Sequence, residues 1–477
     1  MAAAEDVLSA GTGAWRLGAA ELHRAYSGGA LSPVEVLDDI LARSERINPG
    51  LNAIVAFDET ARAAARDSEA RRRKGDELGP LDGVPLTVKD NIPVRGLRST
   101  WGTRVYAAFV PDRDELAVAR LRAKGAVIFG KTNVPEFTLQ GYTDNLLFGP
   151  TRNPWDLRLT PGGSSGGAAA AVAAGLGPLA VGTDGGGSIR RPASHTGLVG
   201  LKPTVGRVPR VNGFPVILHD FEVVGPIART AADAALLLAA MAGPDARDRA
   251  SLAFADFSAD LSQATARQRI LFVPRFGASP VDPEIAARVA EAARRLEHLG
   301  HAVDEGPVPF DLDALDRAWS VIGPAGLAWL LRDREAWREA LGPALRQTAE
   351  TGFGLTAADY VEALDHVARL RASLGETLGH YDLILTPTAA ALPWPAEVSH
   401  PAAIDGTPVG PRGHAVFTAF ANAGGLPGVS LPCEPSANGL PIGFQLVGRF
   451  GADELLLQIA AQYEAAHPWA DRRPPLA

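Results

Sequence analysis

Two short segments concentrate hydroxyls and glycines in a way that suits acyl transfer. The first is Thr160-Pro161-Gly162-Gly163-Ser164-Ser165-Gly166-Gly167, running into an alanine-rich stretch. The second is Gly182-Thr183-Asp184-Gly185-Gly186-Gly187-Ser188-Ile189-Arg190. Attack on an amide carbonyl needs a nucleophile, a base, and donors for the oxyanion that develops. Ser188 follows three glycines, and without Cβ atoms that backbone can approach a substrate closely and turn its N–H groups toward one point. The donors would come from Gly185, Gly186, Gly187 and Ser188. Removing one such donor typically raises the barrier by about 3–4 kcal/mol.

A serine hydroxyl still needs a base. Lys89 lies in Val88-Lys89-Asp90-Asn91, at the end of an apolar run that reads as a buried strand. To act as a base its amine must be neutral, which burial favours by disfavouring the charged form. Asp90 would oppose that shift if its carboxylate faced the amine. The plainer alternatives are a solvated lysine at a strand end and a pair of glycine-rich turns. A phosphate-cradling loop is a third alternative, but no lysine follows either glycine run as G-x-x-x-x-G-K-[ST] demands, and the G-x-G-x-x-G spacing is also lacking.

Other reactive side chains offer less. Cys433 is the single cysteine, set between Pro432 and Glu434, and reads as a buried structural thiol; no intrachain disulfide can form. The ten histidines show no H-E-x-x-H or comparable spacing, so a zinc hydrolase is not expected, and the serine chemistry that the family resemblance below implies needs neither a metal nor an organic cofactor. His195 and His219 lie near the serine segments in sequence, where packing or surface placement is the plainer reading.

Regular elements must hold these groups in place. Ser32-Pro33-Val34-Glu35 has the form of a capping box with proline at the first helical position, and Val36, Leu37, Ile40 and Leu41 continue it as an apolar stripe. A second helix is expected over Thr60–Lys74, with Arg71–Lys74 as its solvated end, so that residues 1–80 read as helical. Strand and helix then alternate: strand Val84–Val88, helix Asp114–Lys124, strand Ala126–Phe129, strand Ile270–Val273, a helix from Asp282-Pro283 to Gly300, strand Ala302–Asp304 and strand Leu383–Leu385. That pattern predicts an α/β layered fold with much parallel pairing. Ala250–Gln268 is the least patterned stretch.

Composition excludes several classes. The chain has 477 residues, 46% hydrophobic and 21% charged, with a net charge of −8 and no long basic run. Nucleic-acid and anionic-membrane partners are therefore not expected. The apolar stretch Gly166–Gly182 is too short and too rich in Ala and Gly to span a bilayer. The start of the chain lacks the basic and apolar regions of a signal peptide, so a cytoplasmic protein is expected.

Taken together, Val88-Lys89-Asp90, the segment Pro161–Gly167 and the segment Gly182–Arg190 resemble the amidase signature family. Gly130–Phe137, Gly197–Thr204, Gly225–Thr230, Gly425–Gly428 and Gly439–Gln445 extend the resemblance over most of the chain. It implies one large α/β/α layered domain around a twisted mixed sheet, with residues 1–80 packed on, and contiguous with, a catalytic domain over 81–477. It also implies a Ser–Ser–Lys triad of nucleophile Ser188, bridging Ser164 and base Lys89, with a cis peptide bond between Gly163 and Ser164. Ser165, Thr183, Asp184 and Arg190 would be the supporting residues. Many relatives carry a larger residue at the position of Gly185, so its smallness would widen the space beside the nucleophile. The substrate walls are expected from Phe137, Thr138, Gly141, Tyr142, Thr143 and Asn145, and from Phe214 in a Val205–Phe221 loop that could act as a lid. The implied activity is a standalone amidase cleaving uncharged, partly apolar amides, with aryl amides, esters and carbamates (urethanes) sharing the chemistry. A monomer or homodimer is expected. The alternatives are the glutaminase subunit of a tRNA-dependent amidotransferase and a non-catalytic binding protein on the same scaffold.

Overall fold

The computed structural model describes residues 13–263 and 265–476. Its first long helix, Pro33–Leu51, starts as the capping chemistry dictates: Ser32 Oγ accepts the Glu35 N–H at 3.2 Å, and the Glu35 carboxylate accepts the Ser32 N–H at 2.8 Å. Residues 1–80 are not wholly helical, because Ile54–Phe57 forms a strand, β1, that the short apolar run Ile54-Val55-Ala56 does not distinguish from helix.

The helix Ala61–Lys74 ends at Gly75, but its basic end is not simply solvated. Arg71 pairs with the buried Asp82 at 2.6 Å, and Arg72 donates to the Asp82 carbonyl at 2.7 Å. Leu78 N–H also donates to Asp82, at 3.0 Å. The cluster thus ties this helix to the turn that leads into the strand carrying Lys89.

Ten further strands complete one sheet: β2 (Pro85–Lys89), β3 (Val127–Thr132), β4 (Leu179–Asp184), β5 (Val199–Lys202), β6 (Val223–Ala228), β7 (Arg269–Phe272), β8 (Ala302–Glu305), β9 (Leu383–Pro387), β10 (Gly428–Pro432) and β11 (Gly443–Gly448). Their order across the sheet is β1-β3-β2-β4-β6-β5-β10-β11-β9-β7-β8. The pairs β3/β2, β2/β4, β9/β7 and β7/β8 are parallel, and the rest are antiparallel. The sheet is mixed, as expected, and runs unbroken through both halves of the chain. The anticipated strands and helices form with ends displaced by at most three residues; Lys89 is the last residue of its strand rather than the first beyond it.

The parallel pair β2/β4 sets up the site. Val88 registers with Val181, so Lys89 at the end of β2 faces the end of β4 at Thr183 and Asp184. Crevices at the carboxyl ends of parallel strands are where α/β sheets present their ligands. The helix Gly166–Ala173 follows the first serine segment and is buried along its whole length. Its two leading glycines allow close approach: a Cβ on Gly166 would collide with Thr143 Oγ1, and one on Gly167 would lie 2.5 Å from Asn133 N. Among the described residues, no helix is long and apolar enough to cross a membrane.

Replacing Asp82 by alanine leaves Arg71 and the Leu78 N–H without their acceptor, while the backbone carbonyl that holds Arg72 stays. The expected outcome is a loss of about 1–3 kcal/mol in unfolding free energy, read from urea denaturation followed by far-UV circular dichroism.

Candidate active site

Lys89 is fully buried, and its amine contacts only uncharged oxygens. Nζ lies 2.8 Å from Ser164 Oγ, 2.8 Å from Thr183 Oγ1 and 3.1 Å from the Thr183 carbonyl. Burial draws its pKa down to about 7; Glu222 and Asp184 pull it upward, and Arg210 and Arg191 push it down. An amine in that range exchanges its proton readily at neutral pH. Asp90 does not oppose the shift, because its carboxylate turns away to Thr100 and to Lys131.

The peptide bond between Gly163 and Ser164 is cis. A Cβ on Gly163 would lie 2.6 Å from the Tyr142 carbonyl oxygen, so only glycine fits there. The two serine segments are stitched together: Ser165 N–H donates to the Ser188 carbonyl at 3.0 Å, and Ser165 Oγ donates to the Thr183 carbonyl at 3.1 Å. Ser188 lines a cavity of about 180 Å³ together with Gly185 and Gly186. Its hydroxyl makes no hydrogen bond to Ser164 among the described residues; catalytic contacts are often loose before substrate binds.

Asp184 shapes the Gly185–Arg190 turn. It accepts the N–H of Gly187 at 2.6 Å and that of Ile189 at 3.1 Å, and pairs with Arg190 at 2.9 Å. Burial resists its charge, but Arg190 and Asn422 hold the carboxyl well below its usual range. This corrects the expected donor set. The Gly187 N–H is already taken by Asp184, so it is not a free oxyanion donor, which leaves Gly185, Gly186 and Ser188. Gly187 instead serves the turn through its φ of 111°.

The substrate walls also differ from expectation. Thr138, Gly141 and Tyr142 line the cavity, but Phe137, Thr143, Asn145 and Phe214 do not. Phe137 packs edge-on against Trp101 at 5.2 Å, and Phe214 stacks on Trp101 at 4.8 Å beside a smaller neighbouring cavity. Thr143 donates to the Gly162 carbonyl beneath the serine segment, and Asn145 donates to Asn133 and the Val134 carbonyl. Nor does Gly185 open free space: a Cβ there would lie 2.7 Å from Leu218 Cδ1, so Leu218 already fills it.

Several contributors carry no sequence signal. Asn422 and Gln445 bind Arg190 from more than 200 residues away in the chain, at 2.5 Å and 2.9 Å. Leu218, Glu222, Trp319, Arg412 and His414 complete the cavity wall. Asn91 is legible beside Lys89; its side-chain amide donates to Thr183 Oγ1 at 3.0 Å. Arg191 is legible beside Arg190, yet nothing in the sequence says that it faces the cavity. Cys433 is buried with its thiol pushed up to about 12, chiefly by burial, and His219 lies in a separate surface groove. Among the described residues no cluster of three or more His, Cys, Asp or Glu could hold a metal ion.

The layered α/β fold and a buried amine against paired serine segments define a hydrolase of the acyl-transfer type. A family model described as Amidase matches residues 35–457. The chain is 37% identical to an acylamidase of Rhodococcus erythropolis, over 96% of this chain and 97% of that one. It is 39% identical to the A-subunit of the glutamyl-tRNA(Gln) amidotransferase of Symbiobacterium thermophilum, over 96% and 99%. A crystal structure of a bacterial aryl acylamidase of the amidase signature family superimposes with a TM-score of 0.88 at 32% identity, over 95% of this chain and 97% of that one. The chain belongs to the amidase family, and it is an amidohydrolase that cleaves amide C–N bonds.

Two buried histidines flank the cavity wall. His195 and His414 sit on either side of Trp394, at 5.8 Å and 4.5 Å between ring centroids, and their ring nitrogens lack side-chain partners. Burial lowers the pKa of His195 to about 4 and that of His414 well below its usual value. The unfolded chain takes up these protons near pH 6.5, whereas the folded chain resists them. Stability is therefore full above pH 6.5 and is lost as pH falls toward 4. Urea denaturation between pH 7.5 and 5 should show that decline, and the single variants His195→Phe and His414→Phe should each flatten it by about 1.4 kcal/mol per pH unit below pH 6.

Proposed function

We propose that the amidohydrolase reaction runs through an acyl-enzyme on Ser188, with Ser164 as proton bridge and Lys89 as base. The observation that carries this reading is the 2.8 Å contact between Ser164 Oγ and a fully buried amine with a pKa near 7. Neutral Lys89 accepts the Ser164 proton while Ser164 accepts that of Ser188. Ser188 Oγ then bonds to the carbonyl carbon, and the oxyanion is met by the N–H groups of Gly185, Gly186 and Ser188. The relay reverses to protonate the leaving amine as the C–N bond breaks. Water then enters, is deprotonated by the same relay, and releases the acid. Thr183 and Asn91 hold the Lys89 amine in place, and Asp184 with Arg190 holds the turn that presents Ser188.

A standalone amidase acting on largely apolar amides is the reading that the acylamidase relatives and the Leu139, Leu218 and Trp319 walls of the cavity support. Esters and carbamates present the same carbonyl and belong to the same reading. The 39% identity to a component of an amidotransferase supports a second reading, as a glutaminase working within a complex. Glutamine hydrolysis that depends on added partner proteins would favour the second reading. Hydrolysis of a simple anilide by the chain alone favours the first.

Sign and size follow from the base. The kcat/KM for a neutral anilide should rise with pH about a midpoint near 7, as Lys89 loses its proton. Lys89→Ala should lower kcat by about 100- to 10,000-fold. A fluorophosphonate probe should label Ser188, as read by peptide mass spectrometry, and labelling should collapse in Lys89→Ala. Labelling elsewhere, or undiminished labelling without Lys89, would sink the relay.

A further inference from the structure

Leu218 stands between two spaces. It lines both the cavity at Ser188 and the smaller one beside it, and among the described residues it shares that position only with Glu222. Glu222 is fixed, because Arg210 takes its carboxylate at 2.5 Å and Glu115 holds Arg210 in turn at 2.8 Å. The small cavity is no site by itself: at about 10 Å³ it has room for about one water. Trp101 and Phe214 wall its apolar side. They stack at 4.8 Å, and Tyr106 and Phe109 pack on Phe214 at 5.1 Å and 5.4 Å, so that side is a close-packed cluster of rings.

The leucine side chain is the softer boundary. It meets two glycines: a Cβ on Gly185 would lie 2.7 Å from its Cδ1, and one on Gly323 would lie 3.5 Å from its Cδ2. Neither neighbour has a side chain to lock its rotamer. The backbone around it, by contrast, is seated. A Cβ on Gly326 would collide with the Ile217 carbonyl oxygen, Phe221 stacks on Trp319 at 5.3 Å, and Arg371 donates to Asp220 at 2.7 Å. Trp319, Gly323 and Gly326 fall on one face of the helix Leu312–Leu331, and the segment from Ile217 to Phe221 lies along it. The loop is a fixed frame, and the Leu218 side chain closes the opening within it.

We propose that Leu218 sets the length of apolar chain that a substrate can carry: the chain ends against this side chain, and without it the chain reaches the space walled by Trp101 and Phe214. The proposal rests on amide hydrolysis at Ser188 and adds the residue that selects among amides. Leu218→Ala removes an isopropyl group and joins the two cavities, so chains about two carbons longer are admitted. A methylene that a pocket cannot take changes kcat/KM by about 10- to 200-fold.

Two series of compounds test this. Acyl para-nitroanilides from acetyl to decanoyl extend the substrate on its acyl side, and butyranilides with para-alkyl groups of rising length extend it on its amine side. The readout is the chain length at which kcat/KM falls about tenfold below its best value, taken within each variant. In at least one series Leu218→Ala should move that limit about two carbons longer, and Leu218→Phe should move it shorter. Leu139→Ala enlarges the same cavity on a wall that borders neither neighbouring space, and should leave the limit within about one carbon of its place. Leu218→Phe opens no hole in the packing, so it decides the matter even if Leu218→Ala does not fold. No fall in rate up to decanoyl, a limit that ignores both Leu218 variants in both series, or an equal shift in Leu139→Ala overturns the assignment. Affinities measured on Ser188→Ala protein, with and without Leu218→Ala, give the same limit without turnover. Failure of the Ser188 chemistry and failure of the Leu218 assignment are therefore read separately.

Discussion

An amine buried without a carboxylate beside it is the constraint around which the site is organised. Lys89 keeps its proton loosely only if no nearby anion stabilises the ammonium, yet three carboxylates stand close. Each is diverted. Asp90, next in the chain, is held by Thr100 and Lys131. Asp184 is held by the Arg190 side chain, Asn422 and the backbone N–H groups of Gly187, Ile189 and Arg190. Glu222 is held by Arg210, which also binds Glu115 at 2.8 Å. What remains against the amine is a pair of hydroxyls and a carbonyl, so burial wins over the residual pull of those charges.

Burial alone does not single out Lys89. Lys131 and Lys202 are also fully buried, and burial brings them to about 8 and about 7. Lys131 donates to the Ile92 carbonyl and to Ser99, and Lys202 to the Pro203 carbonyl. Neither contacts Ser164 or Ser188 among the described residues. A perturbed lysine is thus common inside this sheet, and contact with Ser164, whose neighbour Ser165 bonds the Ser188 carbonyl, is what distinguishes Lys89.

The chemistry is legible in the sequence where it is local. Ser164 and Ser188 announce themselves through glycine runs, because close backbone approach leaves a compositional trace at Gly163, Gly166 and Gly167. The alternation of strands is legible for the same reason: buried parallel strands are short apolar runs with turns between them. Strand β1 is not, because a four-residue edge strand within a helical region has no period of its own. The family resemblance points Phe137 and Phe214 toward the cavity, but both settle on Trp101, an aromatic contact made only in three dimensions. Trp319, Arg412 and His414 reach the cavity from distant loops and helices, which no local pattern encodes.

Gly185 connects the Ser188 turn to the rest of the cavity wall. Because β4 and β6 are antiparallel with Asp184 opposite Val223, the residue before β6, Glu222, is brought next to Gly185. The absent side chain lets Leu218 press in to 2.7 Å from where a Cβ would stand. Leu218 therefore walls both the Ser188 cavity and the smaller one next to it, while Ile217 walls that smaller one and an outer groove of about 990 Å³. Two adjacent residues of one loop thus partition three spaces. A larger residue at 185 would push Leu218 outward, so the identity of that one position sets the thickness of the wall between these spaces.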